Sequence, residues 1–214
     1  LILNRRSKIE IKRATGEAFP AEITITSAKL GSKSQTEYTL HIRDVAKDLK
    51  LQSRLQFLAY KDPLTGLSNR AHMMKELFIA IKLAQEKQLD VALYFLDLDK
   101  FKKINDTLGH KAGDKLLCEV ANRLNDISRD NDIISRWGGD EFIFIITGML
   151  DDTVIAQKAN QLLDQMRIPI ALNNKGYEIQ TSIGVAISSK GIISADDLIQ
   201  YADIAMYRAK DQGR

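Results

Sequence analysis

Arg136-Trp137-Gly138-Gly139-Asp140-Glu141-Phe142-Ile143-Phe144-Ile145-Ile146 is the stretch on which the fold turns. Two β-rich runs, Ile133 to Trp137 and Glu141 to Ile146, flank Gly138-Gly139. A glycine pair between such runs predicts a two-residue hairpin. The hairpin needs the glycines. It does not need Asp140 and Glu141 at the mouth of a strand that runs on into the core, where acids are rare unless paired. These two acids are therefore candidates for chemistry.

A second run points the same way. Val91 to Leu96 is continuously apolar, the mark of a strand covered on both faces, yet it ends in Asp97-Leu98-Asp99. Strand alternation puts Asp97 and Asp99 on one face. Like charges that close raise each other's pKa unless a cation neutralises them. Hard carboxylates beside backbone carbonyls are natural Mg²⁺ ligands. The alternative is a strand end at which Asp99 caps the next helix. Asp140 on a neighbouring strand would complete a carboxylate cluster for one or two Mg²⁺. Such ions can activate an attacking hydroxyl and neutralise a transferring phosphoryl group.

Helical spacing predicts helices over 70–87 (Met73, Leu77, Ile81 and Ala84 inward), 101–108, 110–128 (Leu116, Leu117, Val120, Ala121 and Leu124), 152–167 and 195–211, with a strand from Ile179 to Ile187. Helices and strands in this order predict an α/β sandwich around one sheet. Asp62 to Asn69 is a loop punctuated by Pro63 and Gly66, with Asn69 as a cap, and it marks a domain boundary. Ahead of it, residues 8–44 read as three meandering strands with turns at Thr15-Gly16-Glu17 and Gly31-Ser32-Lys33-Ser34. A short helix with Leu51, Leu55 and Leu58 follows. It suits a coiled-coil seam of about two heptads or a helix packed on its own domain.

The charge divides unevenly. Residues 1–54 carry 11 Lys+Arg against 6 Asp+Glu, and residues 55–214 carry 20 against 22. The larger segment is thus no general polyanion binder, and nucleic acid is not an expected partner. The single cysteine, Cys118, excludes an internal disulfide and a thiolate-rich metal site. It suits a reducing compartment, so the expected location is cytoplasmic, with membrane anchoring of a parent protein left open. No apolar stretch is long enough for a transmembrane helix. Leu1-Ile2-Leu3-Asn4-Arg5-Arg6 has neither an initiator Met nor a signal-peptide core, and reads as the interior of a longer protein.

Arg136 to Phe142 resembles the signature of the GGDEF domain, the diguanylate cyclase family. Other segments follow in the family's order: Asp62-Pro63-Leu64-Thr65-Gly66-Leu67-Ser68-Asn69-Arg70, Asp97 to Asp106, Gly109-His110-Lys111-Ala112-Gly113-Asp114, Thr181 to Ala186, Ala202 to Tyr207, and Ala209-Lys210 to Gly213-Arg214. The resemblance implies a catalytic domain over 62–214. Its mainly antiparallel sheet would be flanked by helices, as in adenylyl cyclases and polymerase palms. It implies condensation of two GTP into cyclic di-GMP and pyrophosphate, with Mg²⁺ (or Mn²⁺) as cofactor, at the interface of two domains. A catalytically silent module that binds GTP or cyclic di-GMP and relays a signal is the alternative, and a structural dimerisation domain a third.

Carried over by motif, Asp97, Asp140 and the Leu98 carbonyl would bind metal. Asp140 would serve as base or shared ligand, and Glu141 would support the cluster. Gly138 and Gly139 would lie against the α-phosphate. Phe101 would belong to the substrate site, Asn105 and Asp114 would read the guanine edge, and His110 would sit nearby or cap a helix. Lys102, Lys210 and Arg214 would meet the β- and γ-phosphates, or else be solvated surface charges. The family usually continues beyond Arg214 into another strand. Arg129-Asp130-Asn131-Asp132, nine residues ahead of Gly138 counting from Arg129, would be the inhibitory product site, with Arg129 stacking on guanine and Asp132 accepting from it. The alternative is a helix end with a dipole-compensating Arg and a turn Asp. Residues 1–45, through Thr15 to Glu22 and His41 to Val45, are similar to the last three strands of a PAS domain. The helix over 46–61 would then link the two and help form a homodimer.

Overall fold

The computed structural model describes residues 5–30, 35–173 and 175–212. It falls into two compact units, 1–57 and 58–214.

In the first unit, β1 (Ser7–Lys12), β2 (Ala18–Leu30) and β3 (Gln35–Asp44) form an antiparallel meander. Gly16 turns β1 into β2 at φ +88, and its N–H donates to the Arg13 carbonyl at 2.9 Å. The turn expected at Gly31 to Ser34 lies outside the described residues. Ile23 faces Ile42 and Ile25 faces Leu40 across β2–β3. These residues share one face because cross-strand neighbours point the same way. Ile23 is buried, whereas Leu40 and Ile42 are 53% and 52% exposed. Helix α1 (Ala46–Tyr60) follows and buries none of its residues; Leu51, Leu55 and Leu58 are all exposed.

The second unit runs α2 (Arg70–Lys87), β4 (Asp90–Leu98), α3 (Phe101–Leu108), α4 (His110–Asp126), β5 (Ile133–Gly138), β6 (Glu141–Gly148), α5 (Asp152–Arg167), β7 (Ile170–Leu172), β8 (Lys175–Tyr177), β9 (Thr181–Ser188) and α6 (Ala195–Asp211). The main sheet has the order β5-β6-β4-β9, and every pair in it is antiparallel. β4 is central, and its alternate residues feed two cores. Ala92, Tyr94, Leu96 and Leu98 pack with Leu116, Val120 and Leu162 of α4 and α5. Val91, Leu93 and Phe95 pack with Leu77, Leu198 and Met206 of α2 and α6. This explains the uninterrupted apolar run, since both faces of β4 are covered.

The expected helices all form. α4 ends at Asp126 rather than 128, and the last strand begins at Thr181 rather than Ile179, which instead fills the core ahead of it. The small β7–β8 hairpin was not legible, because three-residue strands are too short to display alternation. Its approach is fixed by Arg123, a buried side chain on α4. The guanidinium donates to the carbonyls of Gln165 (2.9 Å), Ile168 (2.5 Å) and Pro169 (3.2 Å) at the end of α5. Those are acceptors that a helix C-terminus leaves without partners of its own.

Asn69 caps α2, accepting from the His72 N–H at 2.9 Å. It also donates to the last turn of α1, from Nδ2 to the Leu58 carbonyl (3.3 Å) and from its backbone N–H to the Tyr60 carbonyl (3.0 Å). Gly184 on β9 lets α6 approach the sheet. A Cβ there would stand 2.1 Å from both the Ala202 carbonyl oxygen and the Met206 nitrogen. Backbone atoms cannot step aside as a side-chain tip can. Gly184→Ala is therefore expected to lift α6 and destabilise the second unit by about 1–3 kcal/mol, about 2–4 °C of Tm per kcal/mol. Thermal denaturation checks this.

Candidate active site

β5 and β6 close differently from the sequence expectation. Gly138 pairs with Glu141, so the two turn residues are Gly139 and Asp140, not Gly138 and Gly139. The register shifts between Arg136 and Gly138. The left-handed position belongs to Gly139, at φ +55, a conformation that glycine adopts without steric cost. Asp140 is thereby at the tip. Arg136 ties the turn down. Its Nε and Nη2 donate to the Gly139 carbonyl at 3.0 and 2.7 Å, and Nη1 reaches Asp62 Oδ1 at 3.3 Å. Asp62 in turn accepts from the Thr65 N–H (2.8 Å) and hydroxyl (2.7 Å). Burial pushes the Asp62 carboxyl up, but the Thr65 donors and the Arg136 guanidinium outweigh it, and its pKa lies below the ordinary value.

The acids converge as the sequence implied. Asp97 on β4 sits opposite Glu141 on β6 and Ser182 on β9. The Leu98 N–H donates to the Asp140 carbonyl at 3.2 Å, stitching the strand end to the turn. The Asp140 carboxyl is raised above 3.8 by burial and then by the Asp97 charge. Glu141 is raised above 4.5 by burial, then by Asp97, Asp140 and Asp203. Asp97 itself is 11% exposed, and the Lys210 ammonium stands 2.6 Å from its Oδ1. Lys210 and Asp203 come from α6, seated by the close approach at Gly184. Asp203 and Arg136 were not foreseen as parts of the site. The seven-residue spacing between Asp203 and Lys210, two helical turns, was the available signal for the first.

Asp99 faces the same side, and the Ser182 hydroxyl donates to both its oxygens at 3.2 and 3.1 Å. Lys100, not Asp99, occupies the cap position of α3, at φ 60. Among the described residues, no three His, Cys, Asp or Glu side chains form a ready-made metal cage. Two carboxylates and one carbonyl nevertheless suit Mg²⁺, which usually takes one or two carboxylates and completes its shell with water and substrate phosphates. The raising of Asp140 and Glu141 by burial and then by the Asp97 charge is the electrostatic sign of a site that favours a cation.

Beside this cluster, α3 and α4 meet at Gly113. A Cβ there would stand 2.0 Å from Asn105 Oδ1 and 3.2 Å from Phe101 Cζ. Asn105 Oδ1 is buried and has no hydrogen-bond partner among the described residues. Buried acceptors are seldom left so. Asp114 is exposed next to Gly113, and Lys102 is exposed on α3. His110 is exposed as the first residue of α4; Gly109 takes the cap position. Arg214 lies outside the described residues.

A concavity of about 980 Å³ lies elsewhere, between α2 and the turn carrying Arg129 and Asp132. Asp132 Oδ2 accepts from the Arg129 N–H at 3.0 Å, and the Asp132 N–H donates to the Arg129 carbonyl at 3.0 Å. Arg129 is exposed.

The family described as "Diguanylate cyclase, GGDEF domain" matches residues 59–214. Signaling protein YkoW of Bacillus subtilis is 34% identical over 200 residues, 92% of this chain and 24% of that protein. Diguanylate cyclase TpbB of Pseudomonas aeruginosa is 37% identical over 158 residues, 73% of this chain and 36% of that protein. The chain thus spans well under half the length of these curated relatives. The coiled coil and GGDEF domain of DgcB from Caulobacter crescentus, solved in complex with c-di-GMP, superposes with TM-score 0.71 at 28% identity, over 79% of this chain and 90% of that one.

The raised carboxyls have a consequence for stability. Their folded forms hold protons more tightly than an unfolded chain does. The stability they contribute is present below the ordinary carboxylate range and is lost as pH rises through the raised values of Asp140 and Glu141. Added Mg²⁺ is expected to raise Tm more at neutral pH than at acid pH, and Asp140→Asn to raise the Tm of the metal-free protein at neutral pH. Calorimetric scans across pH check both; equal Mg²⁺ effects at all pH would refute the coupling.

Proposed function

The chain belongs to the diguanylate cyclase GGDEF-domain family, and on that premise we propose that its second unit binds one GTP and, facing a second copy, condenses two GTP into cyclic di-GMP and two pyrophosphates. The observation that carries this is the meeting of Asp97, Asp140 and Glu141 with Lys210 at one strand end.

In each of the two equivalent steps, a 3′-hydroxyl oxygen bonds to the α-phosphorus of the other nucleotide. The bond from that phosphorus to pyrophosphate breaks. Mg²⁺ (or Mn²⁺), when held by the Asp97 and Asp140 carboxylates and the Leu98 carbonyl, supplies charge neutralisation and a lowered hydroxyl pKa. Asp140 takes the hydroxyl proton or, as the shared metal ligand, holds the ion that lowers the hydroxyl pKa. Glu141 supports the cluster. Among the described residues other than chain neighbours, nothing lies within 4 Å of the points where a Cβ would stand at Gly138 and Gly139, which leaves the backbone open to an α-phosphate. Lys210 passes from Asp97 to the β- and γ-phosphates, a role the family motif also assigns to Lys102 and Arg214. Asn105 and Asp114 orient the guanine, with Phe101 and His110 at the pocket. Pre-set geometry of this kind supplies much of the rate in phosphoryl transfer.

The exposed Leu51, Leu55 and Leu58 of α1 suit a seam with the same helix of a second copy. Joining two copies there, with help from the front meander as the end of a PAS domain, would raise the effective concentration of one loaded half-site for the other. GTP as substrate sets the reaction in the cytoplasm. No helix among the described residues is long and apolar enough to cross a membrane. We also propose that Arg129 and Asp132 bind the product as a feedback inhibitor.

Incubation with GTP and Mg²⁺ is expected to yield cyclic di-GMP by chromatography, and Asp140→Ala to lower the rate by about 10²–10³-fold or more. Nucleotide binding without product would instead identify a silent module. Inhibition by added cyclic di-GMP is expected to disappear in Arg129→Ala; inhibition that persists would remove Arg129 from the product site.

A further inference from the structure

Lys158 is a buried charge that the proposed reaction does not use. Its side chain on α5 is 9% exposed, and that of Asp132 is 6% exposed. The ammonium donates to the Ile127 carbonyl at 3.1 Å, stands 3.9 Å from Asp132 Oδ2, and lies 4.9 Å from the centroid of the Phe144 ring. It therefore joins both ends of the segment Ile127–Asp132, in which Arg129 is presented. Burial lowers the Lys158 pKa, Asp132 works against that, and the nearby Arg129 charge adds to it.

The arrangement settles which cation Asp132 answers to. An Arg and an Asp three residues apart on an open turn would ordinarily pair. Here the Asp132 carboxylate is compensated from the interior, by Lys158 and by the Arg129 backbone N–H. The Arg129 guanidinium has no ion pair or hydrogen bond among the described residues. A cavity of about 610 Å³ opens over this arrangement, lined by Arg129, Asp132, Lys158, Gln157 and Gln161 among others.

Given the product-site reading above, on which this depends, we infer that Lys158 is a positioning residue for that site: it holds the Ile127–Asp132 turn in shape and keeps Asp132 from capturing Arg129. Without the ammonium, Asp132 is a buried carboxylate lacking its partner, a costly state. Swinging outward to Arg129 relieves it, and that blocks the guanidinium from a ligand.

Calorimetric titration of the full chain with cyclic di-GMP tests this. Lys158→Met is expected to weaken binding about tenfold, or ~1.4 kcal/mol. Lys158→Gln retains a donor for the Ile127 carbonyl but no charge, and is expected to weaken binding similarly should the Met variant not fold. Combined with Asp132→Asn, the Lys158→Met loss is expected to be smaller than the sum of the single losses, as for partners in one network. Melting scans run alongside exclude a purely structural part: a lower Tm with unchanged Kd overturns the inference. Arg129→Ala isolates the underlying reading. If that variant binds as tightly as the unaltered protein, the product site itself fails. If it loses binding while the folded Lys158 variants keep theirs, only the role of Lys158 fails.

Discussion

Repulsion among carboxylates at the end of one strand governs the second unit. Asp97 terminates a strand buried on both faces, and the register forces Glu141 opposite it, with Asp140 at the adjoining turn. No arrangement of that sheet separates them without also shifting the apolar residues of β4, because a one-residue slip exchanges its two faces. The core therefore holds the acids together against their own electrostatics. Lys210 offsets part of this through Asp97. Glu141 and Asp140 keep raised pKa values even so, as expected where charge is gathered for a task rather than for stability.

The scaffold serves that gathering from two sides. From α6, the close approach at Gly184 carries Lys210 and Asp203 to the strand end. From the 62–69 loop, Asp62 anchors Arg136, and Arg136 holds the Gly139 carbonyl twice. Gly184 and Asp62 themselves take no part in the proposed chemistry. Both remove freedom from the side chains that do, and preorganisation of this kind separates a working site from a loose collection of the right residues.

The sequence disclosed most of the fold because the second unit is locally consistent. Its long helices show apolar stripes, and β4 and β6 show the continuous runs of doubly covered strands. Asp97, Asp140 and Glu141 were legible as acids where burial has no use for them. The turn was misread by one position, since two adjacent glycines offer two candidates for the positive φ and only pairing decides between them. Gly138 pairs with Glu141, which leaves Gly139 to the turn. Lys158 and Arg123 look like ordinary helix-surface cations in the sequence. Their burial depends on α5 crossing against α4 and the 127–132 turn, contacts distant along the chain. Asn105 could be named from its motif, but that its oxygen is buried against Gly113 without a partner is a property of two packed helices.

The join at Asn69 bears on how such a unit can be combined with others. Its two donors reach only main-chain oxygens of the preceding helix, at Leu58 and Tyr60. Any helical sequence presents carbonyls at those places. Tyr60 adds a side-chain requirement, since its ring stands edge-on to His72 at 5.0 Å between centroids. A foreign helix grafted in front would keep these contacts only with its last turn in phase and an aromatic ring at position 60.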